Sequence, residues 1–390
     1  MARQEIMTIN MGPHHPSTHG VLRVILELDG EVVVNAVPDI GYLHRGVEKL
    51  SEGKKYIQVL PLTDRLDYLA SGSNNLAYIL AVEKLLGIEV PRRAQYIRTS
   101  IAEITRIMSH LLWLGTHAAD IGAVTMLMYT LREREDILDL IEETCGTRMM
   151  PTYFRPGGVV RDILPDFSDK IRAFVNKFDV KINEYERLLT KNRIWMRRTQ
   201  KVGVISREDA VSLGLSGPGA RASGVDWDIR RDEPYEVYDE LQFEVPVLSD
   251  GDVYSRYLVR LREMRQSSLM LRQLIEGIPE GPFIERSARY VFPEKSRVSN
   301  SMEAMVHHFK LAIDGLAPSE GEAYSTIEAP KGELGFYIVS DGSPKPYRLR
   351  IRPPSFVNLQ SLLTMAKGNM LADVVAIIGS LDIVLGEIDR

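Results

Sequence analysis

The chain has 390 residues, 44% of them hydrophobic, enough for a large buried core and two or three packed lobes. Its 48 basic and 53 acidic residues leave a net charge of -5, which excludes bulk binding of a polyanion and so sets nucleic acid aside as a partner. A single cysteine, Cys145, excludes a disulfide framework and a Cys-rich metal cage, and points to a reducing compartment.

The opening MARQEIMTIN lacks the apolar core of a signal peptide, and the apolar stretch ADVVAIIGSLDIVLG is cut by Asp373 and Asp382 before it could span a bilayer. A soluble or peripheral protein is expected. Next comes MGPHHPSTHGVLRVILELDGEVV, a loop with His14, His15 and His19 that runs into alternating apolar and polar residues. The alternation over 21–37 around Asp29-Gly30, a dipeptide suited to a type I' turn, predicts a β-hairpin. His15 and His19 have the i, i+4 spacing of a helical zinc site, but Pro16 and Gly20 oppose a helix and no acidic base stands between them. A polar loop between two strands explains them as well. His19 stands out because it adjoins Gly20 at the strand entry, where a tightly held backbone could aim one imidazole inward.

From about residue 45 to 200 the period lengthens. Ile97, Ile101, Ile104, Met108, Leu111 and Leu112 recur every three or four residues, as do Ile171, Phe174, Phe178, Ile182 and Tyr185, which predicts long helices in a bundle. Pro91 suits a first helical turn, and FRPGGV at 154–159 separates two helices. In TDRLDYLASGSNNLAYILAVEKLLG, Arg65, Asp67 and Tyr68 are expected to open a helix, where Asp64 and Asp67 would suit the dipole. Asp120, in GTHAAD, ends the long helix and opposes its dipole, so it needs solvent or a cationic partner. GPGARA at 217–222 fits the G-x-G-x-x-A dinucleotide fingerprint on paper, yet no strand leads into it; a turn is expected there. Helical spacing returns at 255–277 and 300–315, and GELGFYIVSDGSPKPYRLRIRP predicts a second hairpin. The expected fold is α+β with a mainly helical core, an N-terminal antiparallel hairpin or sheet and a second hairpin near the C-terminus. Its parts are a hairpin region (1–44), a helical core (45–200), a loop-rich insertion with short strands (201–255) and a closing segment packed back on the core (256–390).

The motifs GPHHPSTHG, IGYLHRGVEKL, RLDYLA, AVEKLLG, RPGGV, NRIW, EMRQS, EAPKGELG, YIVSDG, PSFVNLQSL and DVVAIIGSLDIVLGEIDR follow one another in a family's order, from about residue 7 to the last. In them the chain resembles the D subunit of bacterial respiratory complex I, the NADH-quinone oxidoreductase, itself similar to the large subunit of nickel-iron hydrogenases. Hydrogenases carry R-x-C-x-x-C and D-P-C-x-x-C. Here RLDYLA has Asp67 and Ala70 at the cysteine positions, and DIVLGE has Val384 and Glu387. Without those soft ligands the bimetallic centre cannot be held, so the resemblance implies a vacated cavity that takes a quinone headgroup.

By the same resemblance Tyr68 and His19 hydrogen-bond and protonate the quinone, Asp120 pairs with His19, and Asp373 and Val375 line the cavity. His14 and His15 are loop structure. Reduction to the quinol takes two electrons and two protons, which a phenol and an imidazolium can donate. The electrons are implied to come from a 4Fe-4S cluster in the adjoining B subunit, against Arg45 and Arg65, since one cysteine cannot hold a cluster. Surface ion pairs would equally explain the two arginines, and core packing Val375. The C subunit and the membrane-embedded H subunit are the other implied partners, and the implied place is peripheral, on the cytoplasmic side of the inner membrane. Where many relatives have a histidine beside the cluster, GTRMMPTYFRPGG has Met149, Met150 and Pro151, which implies a low, nearly pH-independent cluster potential and a quinone such as menaquinone rather than ubiquinone. The same role fed by ferredoxin or F420, or a scaffold without chemistry, are the competing readings.

Overall fold

A computed structural model describes residues 6–14, 20–285 and 290–390. The N-terminal strands β1 (Ile6–Met11), β2 (Arg23–Asp29) and β3 (Val32–Asp39) form an antiparallel sheet in that order. Asp29 pairs with Val32, so the hairpin turns on Gly30 and Glu31, one residue later than the Asp29-Gly30 pair suggests. Gly30 has φ +63°, the left-handed conformation such a turn needs. A bulge between Glu27 and Leu28 shifts the register, and Val24, Leu26 and Leu28 all point into the core.

The helices follow: α1 (Val47–Glu52), α2 (Tyr56–Thr63), α3 (Ser71–Leu86), α4 (Arg92–Asp120) and α5 (Thr125–Cys145). FRPGGV folds into a small hairpin of β4 (Phe154–Arg155) and β5 (Gly158–Val159), which does separate α5 from α6 (Phe167–Leu189); α7 (Arg193–Thr199) comes next. The stretch from 200 to 252 differs from expectation. Instead of short strands, its described structure is short helices, α8 (Arg207–Ser212), α9 (Gly217–Arg221) and α10 (Ile229–Asp232), so GPGARA is a brief helix rather than a turn. Then come α11 (Val253–Gly277), α12 (Lys295–Val298) and α13 (Met302–Ile313). A second antiparallel sheet has three strands, β6 (Gly321–Ala329), β7 (Gly332–Ser340) and β8 (Arg348–Arg352), where the sequence pattern revealed only the last two. The chain closes with α14 (Pro354–Leu359), α15 (Leu362–Ala366), α16 (Leu371–Leu381) and α17 (Leu385–Ile388).

Two apolar cores result. The larger joins α3, α4, α5, α6 and α11 to the inner face of the β6-β7-β8 sheet, through residues such as Ile97, Ile101, Ile104, Phe178, Ile182, Leu334 and Phe336. The smaller packs β2 against α15, α16 and α17, through Leu26, Met365, Ile377 and Leu385. Helix α4 packs on α3, α5, α11 and α16. It is buried on nearly every side, and that burial takes in Arg98, Glu103, Arg106 and His110. Charges so placed persist only when paired. Arg98 meets Glu83 at 2.6 Å and Glu236 at 3.0 Å. Glu103 accepts from Tyr238 at 2.6 Å and Ser267 at 2.6 Å, and lies 3.2 Å from Arg106 and 3.3 Å from Arg230.

One close approach fixes the tip of the β6–β7 hairpin. Gly217 has φ +66°, and a Cβ there would lie 2.5 Å from Gly332 Cα and 2.8 Å from the Lys331 carbonyl oxygen. Only a glycine lets α9 press against this tip. Gly217→Ala should therefore lower stability by about 1–3 kcal/mol, seen as a fall in the thermal midpoint. Gly219→Ala, whose Cβ would meet nothing nearer than Leu215 Cδ2 at 3.9 Å, is the near-neutral control.

Candidate functional site

The two-residue loop between β6 and β7, Pro330 and Lys331, lies inside the molecule rather than on its surface. A buried loop must satisfy its own backbone. Asn358 Nδ2 donates to the Lys331 carbonyl at 3.1 Å, and Ser216 Oγ accepts from Glu333 N at 3.1 Å. The Lys331 side chain, 1% exposed, extends into a pocket of carboxylates. Its Nζ is 3.0 Å from Asp67 Oδ2, 3.7 Å from Asp382 Oδ2 and 3.2 Å from Ser109 Oγ. Burial opposes the charge, but Asp382 and Asp67 hold the ammonium protonated, above its ordinary value.

Each carboxylate has a backbone reason for its place. Asp67 is in the turn between α2 and α3, where its Oδ1 accepts from Leu69 N at 3.1 Å. The segment from Arg65 to Tyr68 thus precedes α3 instead of opening it, and Asp67 serves the lysine rather than a helix dipole. Asp382 ends α16 in the left-handed conformation, φ 54°, which aspartate tolerates better than most residues. Glu387, on α17, accepts hydrogen bonds from Ser355 Oγ and, at 3.2 Å, from Ser355 N. Of the four positions matched to hydrogenase thiolates, Asp67 touches the ammonium and Glu387 lies in the same buried cluster. The other two, Ala70 and Val384, are buried and cap the starts of α3 and α17.

Tyr68 borders this pocket and is half-buried. Burial raises its phenol above the ordinary value, and the charges of Asp67 and Asp382 add to the effect, so the hydroxyl keeps its proton. His15 and His19 lie outside the described residues. The exit of their loop is placed: a Cβ on Gly20 would lie 3.3 Å from Leu385 Cδ1, and one on Gly386 would lie 2.7 Å from the Leu66 carbonyl oxygen. Helix α17 is thus wedged between the end of that loop and the turn that carries Tyr68.

The two arginines come together. Arg45 donates to the Arg65 carbonyl at 2.8 Å and Arg65 donates to the Pro61 carbonyl at 2.6 Å. Both are exposed, and among the described residues neither forms a surface ion pair. The Arg45 loop is tethered by Asp389, whose carboxylate accepts from Gly41 N at 2.8 Å and Leu43 N at 2.7 Å. Asp120 is the last residue of α4 and half-buried, one turn past His117, which stacks on Trp113 and packs against Gly379 of α16. Asp373 caps the start of α16, accepting from Met370 N at 3.3 Å, and lies 3.7 Å from Arg198. Val375, on the same helix, packs on the smaller core. Asp64, 1% exposed, accepts from Asn75 Nδ2 at 2.6 Å. Burial pushes its carboxyl up to about 6, against the pull of Asn75 and the nearby Arg65.

Lys331 and Asp382, which meet in the buried pocket, and Asp389, which tethers the Arg45 loop, are positions that sequence reasoning missed. Lys331 lies within EAPKGELG and the two aspartates within the closing motif, but nothing local marks any of them as interior. Cys145 is a poor metal ligand, since burial pushes its thiol up to about 12. Among the described residues no three His, Cys, Asp or Glu side chains converge on a metal position, and no helix is long and apolar enough to cross a membrane.

A helical α+β chain with Asp67 and Glu387 at positions matched to hydrogenase thiolates falls among the oxidoreductase subunits related to the hydrogenase large subunit. The family model for the respiratory-chain NADH dehydrogenase 49 kDa subunit matches residues 120–390. Over 390 residues, all of both chains, it is 58% identical to the NADH-quinone oxidoreductase D subunit of Geotalea uraniireducens and 58% identical to that of Geobacter sulfurreducens. The D 2 subunit of Rhizobium meliloti is 57% identical over 383 residues, covering 98% of this chain and 95% of that one. The chain belongs to this family, the D subunits of NADH-quinone oxidoreductase, and is one part of a multisubunit enzyme.

The raised Asp64 carboxyl carries a pH signature. The folded state binds its proton more tightly than the unfolded chain does, so the stability it contributes is present below about pH 4 and lost as pH rises through about 6. That difference is worth ~3 kcal/mol. Asp64→Asn should remove the loss, leaving the variant more stable than the parent at pH 7 by up to that amount and no different near pH 4. Denaturant unfolding at a series of pH values checks this; parallel profiles for the two proteins would contradict it.

Proposed function

We propose that this chain forms the quinone-reducing site of the complex, with Tyr68 and His19 as the groups that bind the two quinone oxygens and protonate them. The observation that carries the reading is Tyr68, half-buried with its phenol held protonated, at the border of the Lys331 pocket. A phenol in that state donates a hydrogen bond to a carbonyl oxygen and can release its proton as charge builds there. His19 is the second donor, and Asp120 orients it and favours its charged form. Asp373 and Val375, on α16, line the cavity beyond.

The overall step adds two electrons and two protons to the quinone and yields the quinol. A 4Fe-4S cluster held by the B subunit supplies the electrons. Arg45 and Arg65, exposed and joined by the bond from Arg45 to the Arg65 carbonyl, present positive charge to that neighbour, which favours the reduced cluster. The C and H subunits complete the surroundings, and the chain is peripheral, on the cytoplasmic side of the membrane. We divide it into four parts with bounds at 44, 200 and 255.

In the assembled complex Tyr68→Phe should lower the quinone turnover number about 100-fold and leave electron transfer to an artificial acceptor unchanged. Normal turnover in this variant and in His19→Ala would favour the scaffold reading instead. With Met149, Met150 and Pro151 where relatives have a histidine, and Asp64 already ionised, the cluster potential should be flat above about pH 7. A redox titration with a clear slope there would contradict this and the preference for a low-potential quinone.

A further inference from the structure

We propose that Glu387, acting through Lys331 and Asp67, holds the proton that restores the Tyr68 phenol after Tyr68 has protonated the quinone. The inference rests on the proposed quinone site and adds the source of its proton. It begins from a count of charge in a closed space. Asp67, Asp382, Glu387 and Lys331 are between 0% and 7% exposed. Among the described residues, the cations within 4.0 Å of these carboxylates are Lys331 and Arg260, the latter 4.0 Å from Asp382 and stacked over Trp113. Three carboxyl groups thus share two positive charges. An unbalanced charge this deep costs several kcal/mol, roughly, so one carboxyl is the neutral acid.

Contacts decide which one. Asp67 touches the ammonium at 3.0 Å, and Asp382 lies between Lys331 at 3.7 Å and Arg260 at 4.0 Å. Glu387 has no cation within 4.0 Å among the described residues; Ser355 supplies its hydrogen bonds, and its Oε1 is buried without a partner. Burial, reinforced by the negative charge of Asp67, raises its carboxyl well above the ordinary range.

The sequence of transfers balances without any further reagent. The Tyr68 O–H bond breaks and its proton goes to a quinone oxygen, leaving a phenolate. Lys331, hydrogen-bonded to Asp67 and within electrostatic reach of Tyr68, gives up one ammonium proton, which reforms the phenol. Glu387, out of direct reach of that amine, passes its carboxylic proton to it through one bridging water and becomes a carboxylate until it is reloaded from solvent. Only protons move; the two electrons come from the NADH-quinone oxidoreductase reaction itself.

The test is Glu387→Gln in the assembled complex, since glutamine keeps the Ser355 contacts but has no proton to release. The quinone turnover number should fall at least about 10-fold with KM unchanged, electron transfer to an artificial acceptor should persist, and Glu387→Asp should recover part of the loss. Infrared difference spectra should show a protonated carboxylic carbonyl band, shifted in heavy water, that disappears on quinone turnover in the parent and is missing from the variant. Parent-like turnover in Glu387→Gln, or no such band in the parent, overturns the proposal. Should the variant fail to assemble, the parent spectrum alone decides. Loss of turnover in Tyr68→Phe beside normal turnover in Glu387→Gln removes the relay and keeps the quinone site. Normal turnover in both removes both.

Discussion

The buried ammonium of Lys331 is the constraint from which most of this architecture follows. Taking a lysine out of water costs several kcal/mol, roughly, and only opposite charge at short range offsets it. The compensating carboxylates come from the turn after α2 and the end of α16, and α17 adds Glu387 to the same buried cluster, segments remote in sequence. Their convergence on one hairpin tip ties the C-terminal helices to the helical core. The tip itself is held by the Gly217 contact and by Asn358. Apolar packing alone would bring these elements together. The ion cluster fixes their register, because a carboxylate displaced by one residue would leave a charge unmatched.

The same logic runs along α4 in a second network. Glu263 lies 2.6 Å from Arg221 and 2.9 Å from His110; although burial opposes ionisation, Arg221 holds its carboxyl far below the ordinary range. Burial lowers the pKa of His110, so the ring is neutral and its Nε2–H donates to that carboxylate. Arg221 continues to Glu328 at 2.8 Å and Asp228 at 3.3 Å, and Arg230 links Asp228 to Glu103. A helix with this much interior charge is specified by its partners as much as by its apolar stripe. The short helices α9 and α10 deliver Arg221 and Arg230 to it.

How far all this was legible in the sequence depends on the range of the interaction. The helices α4 and α6 were plain, since Ile97, Ile101, Ile104, Met108, Leu111 and Leu112, like Ile171 to Tyr185 in α6, repeat at helical spacing, and the structure buries these positions except Leu112, which is half-buried. The first hairpin was plain too, apart from its bulge. Strand β6 was missed because its buried end, Ile327 to Ala329, includes Glu328, which reads as a solvent-facing residue until Arg221 is seen to neutralise it. The strands expected between 200 and 255 rested on Gly and Pro content, which marks chain reversal without saying what lies between reversals. Tyr68 and the arginines were reachable only through motif resemblance. No spacing rule could show that Lys331 is interior, because a lysine in a Pro-Lys-Gly turn is ordinarily solvated and its three partners are distant along the chain.

That distance has a consequence for how the protein is made. Gly41 and Leu43 bond to Asp389 across separations of 348 and 346 residues, and Asp67 shares its lysine with a carboxylate near the other end. During translation the first segment, through Asp67, emerges long before these partners exist. Until the C-terminal segment leaves the ribosome, Lys331 has Asp67 but lacks Asp382. The Arg45 loop likewise lacks its Asp389 anchor until the chain is finished, so this face is completed only after translation.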